Sequence, residues 1–96
     1  PTTYQSKQMN ATQEQIYRAG NIELTANELQ TAIDKGQTAI VGFRAVWSIR
    51  QSNQGLFQIV KVYTERGNLP LMPKGRFQFA NGTLANRLIG FELFAA

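Results

Sequence analysis

The stretch 38–66 constrains the fold most, because it has the pattern of a single long β-hairpin. Two runs rich in β-branched and aromatic residues, TAIVGFRAVWSIRQ and LFQIVKVYTER, flank the turn-forming segment SNQG at 52–55. A four-residue loop would place Trp47 opposite Val60, on a mostly apolar face that we expect to lie on the core. The sequence therefore predicts one antiparallel pair of strands at the centre of the sheet.

The opposite face of this hairpin is basic and aromatic. Aromatic rings can stack on bases, and cationic side chains neutralise phosphates or carboxylates. We therefore expect an acidic partner, either a protein surface or a single-stranded nucleic acid. The candidate binding residues are Arg44, Ser48, Arg50, Phe57, Lys61 and Tyr63 of the hairpin, with Lys74 and Arg76 from the segment that follows.

Two other interpretations of the same face stay open. It can be a solvated outer face on which long cationic side chains cover the apolar residues Phe57 and Ile59. Alternatively, a second copy of the chain can cover it, since Val46, Phe57 and Ile59 are apolar for a surface facing water. The second hypothesis is thus a homo-oligomeric assembly or structural subunit that uses the same face.

The net charge of +4 is unevenly distributed. Residues 1–36 hold three basic and four acidic residues, whereas residues 37–96 hold seven basic and two acidic residues. The predicted β-rich part therefore carries the positive field, which favours acidic partners by electrostatic steering.

The chain contains neither Cys nor His. Their absence removes Cys nucleophiles, His general bases and nearly all zinc, haem and iron–sulfur sites. We expect no enzyme activity, no metal and no cofactor. A remote alternative is an enzyme that uses the free amine of Pro1 as a general base.

The firmest local prediction is a helix from Ala26 to Lys35. Thr25 and Glu28 have the spacing of a capping box, with Thr25 as the N-cap and Glu28 three residues later. Leu24, before the cap, and Leu29 form a hydrophobic staple. Gly36 is expected to end the helix, which then covers one face of the sheet.

The remaining segments are less strongly patterned. We expect a flexible polar tail at 1–10, and either a short helix at 13–19 or a strand at 15–24. Residues 67–75 form a proline-containing loop whose apolar residues, Leu69, Leu71 and Met72, are expected to pack on the core.

The chain after this loop is predicted to be mainly extended. Residues 76–80 alternate as a strand, and Asn81-Gly82 is typical of a type I′ hairpin turn. The final segment is then either a strand with a bulge near Arg87, or a helical turn at 84–88 before a strand at 89–94. A helix through the whole segment is disfavoured by Gly90.

These elements predict an α+β domain over 11–96. One short capped helix, at about 26–35, packs on an antiparallel sheet of four or five strands that can curl towards a small barrel. The chain has no run of about 20 apolar residues and no recognisable signal peptide. We expect a small cytoplasmic protein that does not bind membranes and acts as a non-catalytic binding or adaptor module.

Overall fold

A computed structural model describes residues 15–95 as two antiparallel sheets and two helices. The elements are β1 (Ile16–Ala19), β2 (Ile22–Thr25), α1 (Ala26–Asp34), β3 (Ala39–Gly42), β4 (Ala45–Gln51), β5 (Phe57–Thr64), β6 (Gln78–Ala80) and α2 (Gly82–Ile89). β1 and β2 form a hairpin, and the other strands form a sheet in the order β5-β4-β3-β6. The α+β class is confirmed. Within the described residues the main sheet has four strands and does not close into a barrel. The predicted tail at 1–10 and Pro1 lie outside these residues.

Helix α1 forms as predicted. The Thr25 hydroxyl accepts a hydrogen bond from the Glu28 backbone N–H at 3.1 Å, and the Glu28 carboxylate accepts one from the Thr25 backbone N–H at 2.9 Å. Leu24 and Leu29, the two residues of the staple, are fully buried. The helix ends at Lys35, and Gly36 follows in the left-handed conformation. Local capping and staple interactions thus define this element.

The first long strand of the predicted hairpin is broken in two. Instead of running through 38–51, the chain turns at Phe43 and Arg44, and Gly42 pairs with Ala45 across the turn. The prediction of a continuous strand was wrong because the whole segment favours extended structure and has no Pro, Asn or Asp at the turn. Residues 39–64 therefore form a three-stranded meander.

The register between β4 and β5 also differs from the predicted one. Gln51 pairs with Phe57, so the connecting loop has five residues, 52–56, rather than four. Trp47 consequently lies opposite Lys61, and a bulge next to Trp47 shifts the register once more. Directly paired residues share a face. Phe57 and Lys61 therefore lie on the face of Trp47, and the single basic–aromatic face predicted from the sequence does not form.

The segment before α1 is a hairpin. β1 and β2 pair with Ala19 opposite Ile22, which leaves Gly20 and Asn21 as the turn. The helix considered for 13–19 is wrong for the described residues 16–19. The alternative, an extended strand at 15–24, is correct except that the turn at 20–21 divides it into two strands.

The C-terminal region contains the helix α2 at 82–89. Of the two alternatives for this segment, the helical turn at 84–88 is confirmed and the strand with a bulge near Arg87 is wrong. Asn81 is the N-cap of α2, and its side-chain oxygen accepts a hydrogen bond from the Leu84 backbone N–H at 2.8 Å. Gly90 ends the helix instead of interrupting it. The predicted turn at Asn81-Gly82 and the strand at 89–94 are wrong, because Asn is as favourable at an N-cap as in a type I′ turn.

Each face of the main sheet has its own apolar core. On one face, which we call the α1 face, the buried residues are Ala19, Leu24, Leu29, Ile40, Ala45, Trp47 and Ile49. On the other, the α2 face, they are Ala39, Val41, Val46, Ala80, Ala85 and Ile89. Leu71 and Met72 pack on the α2 face as expected, but Leu69 is 81% exposed and its predicted packing is wrong. Among residues 15–95, no helix combines the length and apolarity required to cross a membrane.

Candidate functional site

A groove lined by cations and aromatic rings opens where four segments meet: the β1–β2 turn, the β3–β4 turn, β5 and the loop before β6. Its volume is about 610 Å³, within the range of about 300–1,000 Å³ typical of ligand pockets. We call it the cationic groove. Its polar and aromatic lining residues are Asn21, Glu23, Phe43, Arg44, Trp47, Lys61, Thr64, Lys74, Arg76 and Phe77.

Trp47 lies between two glycines and contributes to the wall of the groove. A Cβ atom on Gly20 would lie 3.0 Å from Trp47 Cζ2, and one on Gly42 would lie 2.9 Å from Trp47 Cζ3. Only glycine therefore allows the two turns to approach the indole ring so closely. The Lys61 ammonium lies 6.0 Å from the centre of the same ring, at cation–π distance. The glycines thus hold the indole ring in place, and Lys61 puts a cation beside it.

Arg44 occupies the β3–β4 turn in an unusual backbone conformation. Its φ is +63°, and it is the one non-glycine residue among 15–95 with positive φ. Its carbonyl accepts a hydrogen bond from the Glu65 backbone N–H at 2.9 Å, and its guanidinium donates to the carbonyl of Gly67. The guanidinium carbon is 5.6 Å from the centre of the Phe43 ring. Arg44 therefore holds the chain after β5 against the turn that bears Phe43.

A small hydrogen-bonded cluster supports this arrangement at the end of β5. The Glu65 carboxylate accepts hydrogen bonds from the Gly67 backbone N–H at 2.7 Å and from the Tyr63 hydroxyl at 2.9 Å. The bonds from Gly67 and then Tyr63 lower the pKa of Glu65 below its ordinary value. The bond to Glu65 raises the pKa of Tyr63. The hydrogen bonds thus favour the ionised carboxylate of Glu65 and the neutral hydroxyl of Tyr63, which are the forms present at neutral pH.

The charge of the groove is strongly positive. Among residues 15–95, none of its four cations lies within 4.0 Å of a carboxylate oxygen as an ion pair. Its one acidic lining residue, Glu23, pairs with Arg18 at 2.7 Å. Clefts lined by one sign of charge concentrate the electrostatic field and attract counter-ions. The groove is therefore suited to an anionic ligand.

The structure brings together four of the eight residues predicted to bind a partner. Arg44, Lys61, Lys74 and Arg76 all line the cationic groove. The remaining four lie elsewhere. Phe57 is half-buried on the α1 face with its ring edge-on to Tyr17 at 5.7 Å, and the register places Ser48, Arg50 and Tyr63 on the α2 face.

Sequence reasoning missed the aromatic lining of the groove. Trp47 was expected in the core, which is confirmed, but its contribution to the groove wall was not foreseen. Phe43 was expected inside a continuous strand. Gly42 was a usable signal for Phe43, because glycine within a strand pattern often marks a close backbone approach. The dipeptide Gly20-Asn21 was a second signal, since it is typical of a two-residue hairpin turn.

Other parts of the described chain offer less chemistry. A concavity of about 700 Å³ lies between α2 and residues 90–95, but its charged lining residues are only Arg87 and Glu92, which are of opposite sign. Within residues 15–95 no group of three or more acidic, His or Cys residues is placed to hold a metal ion. Comparisons with protein-family models, curated protein sequences and solved structures find no match for this chain. The cationic groove is therefore the candidate functional site.

Proposed function

We propose that the protein is a non-catalytic binding module that docks an acidic partner, a protein surface or a nucleic acid, in the cationic groove. The observation that carries the proposal is the convergence of Arg44, Lys61, Lys74 and Arg76 on one groove. Grouping four like charges in a partly apolar cleft costs electrostatic free energy in the isolated protein. An anionic partner offsets this cost.

Binding to a polyanion tests the proposal, with salt as the first variable. We expect binding at low ionic strength that weakens steeply as salt is added, because each neutralised phosphate releases condensed counter-ions. If all four cations contact phosphates of a single strand, the logarithm of the affinity should fall by about 3 per tenfold increase in salt. No binding of an oligonucleotide or of polyglutamate at low salt would refute the proposal.

Two charge reversals separate the groove from the rest of the positive surface. Lys74→Glu changes a groove cation, whereas Arg50→Glu makes the same change in net charge at an exposed site on the α2 face. We expect Lys74→Glu to weaken polyanion binding much more than Arg50→Glu. Equal losses would mean that net charge, rather than the groove, determines binding.

The homo-oligomer hypothesis has less support than the sequence suggested. It rested on the apolar residues Val46, Phe57 and Ile59, of which Val46 is fully buried and the other two pack against the core of the α1 face. Val46 is thus covered within the chain itself, and Phe57 and Ile59 are half-buried. An apparent molecular mass in solution that rises with protein concentration for the wild type, and that is lower for Arg50→Glu at the same concentration, would favour an oligomer over the binding module.

A further inference from the structure

We propose that the ligand of the cationic groove is a single-stranded nucleic acid, with phosphates on the cations and a base against the ring of Phe43. This inference rests on the proposed function and specifies its ligand. Three features of the groove support it: an exposed ring beside cations, a partly apolar wall, and a strained residue that holds the ring and a cation together.

The first feature is the exposed ring of Phe43. This side chain is 37% exposed at the tip of the β3–β4 turn, and the Arg44 guanidinium lies over one side of its ring, 5.6 Å from the ring centre, so a base would stack on the other side. Every base has a flat aromatic surface, so a base can stack on such a ring regardless of sequence. The neighbouring cation is then placed to neutralise the phosphate of the same nucleotide.

The second feature is the mixed character of the lining. Trp47 and Phe77 contribute apolar lining beside the cations, and Asn21 adds an amide that can both donate to and accept from a base edge. An acidic peptide would satisfy the cations with carboxylates, but its acidic side chains carry no ring, whereas each nucleotide joins a phosphate to a flat base. A paired duplex presents its phosphates while its bases stay stacked inside, so the groove favours unpaired bases.

The third feature is the conformation of Arg44. A non-glycine residue with φ of +63° is strained, and such residues concentrate at ligand clamps and other functional sites. Its Nε atom is buried and has no hydrogen-bond partner within residues 15–95. The strain places a guanidinium and an exposed ring side by side at the edge of the groove.

The chain carries its own reporter for a test. Trp47 is the single tryptophan and lines the groove. We suggest titrating the protein at low salt with oligothymidylate, with an abasic oligonucleotide of the same length and charge, and with polyglutamate, following both Trp47 fluorescence and ligand anisotropy. We expect oligothymidylate to bind about fivefold or more tightly than the abasic strand, the least that one stacked base contributes.

A pair of variants assigns the base contact. Phe43→Ala should bring the affinity for oligothymidylate close to that for the abasic strand, so that the ratio of the two affinities falls towards one. Leu56→Ala removes an apolar side chain that is 55% exposed in the β4–β5 loop, and it should change neither affinity. The wild-type comparison of intact and abasic strands gives a result even if Phe43→Ala does not fold.

The outcomes are distinct. Equal affinities for intact and abasic strands, or tighter binding of polyglutamate than of oligothymidylate, would overturn the inference and leave the polyanion-binding proposal in place. Failure of all three ligands to bind at low salt would remove the proposed function itself.

Discussion

Arg44 combines an unfavourable backbone with a side chain that borders the cationic groove. The left-handed conformation costs an L-residue about 1–2 kcal/mol, and glycine avoids this cost. The hydrogen bond from its guanidinium to the Gly67 carbonyl offsets part of that cost. If the groove binds an anion as proposed, this strain is the kind of stability cost expected where function limits stability.

Two substitutions separate the backbone from the side chain of Arg44. Both Arg44→Gly and Arg44→Ala remove the guanidinium, but only glycine relieves the strain at φ of +63°. We expect Arg44→Gly to be more stable than Arg44→Ala by about 1 kcal/mol in chemical denaturation. Both variants should bind polyanions more weakly than the wild type.

Arg50 provides the control for this comparison. It lies within β4 with ordinary strand geometry, so Arg50→Gly should be less stable than Arg50→Ala by about 0.5–1 kcal/mol. The glycine variant is thus expected to be the more stable one at position 44 and the less stable one at position 50. The same order at Arg44 and Arg50 would mean that the turn is not strained.

The Tyr63–Glu65 cluster makes stability depend on pH in two ranges. Because the pKa of Glu65 is lowered from 4.5, its contribution is present above that value and is lost as the pH falls through the folded-state pKa. Because the pKa of Tyr63 is raised from 10.0, its contribution is present below pH 10.0 and is lost as the pH rises through the higher folded-state pKa. The contributions are screened, since both groups are solvent-accessible.

Two variants test this pH dependence by denaturation at a series of pH values. Glu65→Gln should flatten the acidic part of the stability profile. Tyr63→Phe should remove the alkaline contribution and bring the pKa of Glu65, measured by NMR titration, closer to its ordinary value. An unchanged pKa of Glu65 in Tyr63→Phe would show that the bond from Tyr63 does not contribute to lowering it.

At the scale of elements, the start of α2 depends on a cap that replaces the predicted turn. Asn81 caps the helix through its side-chain oxygen, so Asn81→Ala should lower the free energy of unfolding by about 1 kcal/mol. Asn81→Ser should retain most of the stability, because serine is also a good N-cap. In a type I′ turn serine would fare poorly, since that turn requires positive φ. Equal losses for Ser and Ala would therefore contradict the cap.

The sequence predicts best those elements that local contacts define. Helix α1 was predicted to within a residue because its cap, staple and terminating glycine lie within 24–36. The break at Phe43 and Arg44 was missed, because it depends on contacts between distant parts of the chain. The turn that contains Gly20 and the turn after Gly42 both pack closely on the ring of Trp47. Such close approaches cannot be read from periodicity, which describes one segment at a time.

The candidate site was half predicted for the same reason. The predicted hairpin face and the segment after it supplied eight candidate residues, of which Arg44, Lys61, Lys74 and Arg76 line the groove and the other four do not. The register was not predictable, because a loop of four or five residues fits the segment after Gln51 equally well. A shift of one residue exchanges the faces of a strand, and it moved Phe57 and Lys61 to the face of Trp47.

At the scale of the whole molecule, the main sheet is shared by two cores. Neighbouring residues Val46 and Trp47 of β4 point to opposite faces, one into each core. A change on either face therefore acts on the same strands. This arrangement favours one cooperative folding unit, as expected for a domain of about 100 residues.

The same conservative substitution on each face tests this cooperativity. Ile40→Val on the α1 face and Ile89→Val on the α2 face both remove one buried methyl group, and each should lower the free energy of unfolding by about 0.5–1.5 kcal/mol. Ile16→Val, at a side chain that is 51% exposed, serves as the control and should have little effect. In a single cooperative unit, both core variants shift the denaturation midpoint reported by Trp47, and their effects add in the double variant within about 0.5 kcal/mol. A Trp47 transition that does not respond to Ile89→Val would mean that the α2 face unfolds separately.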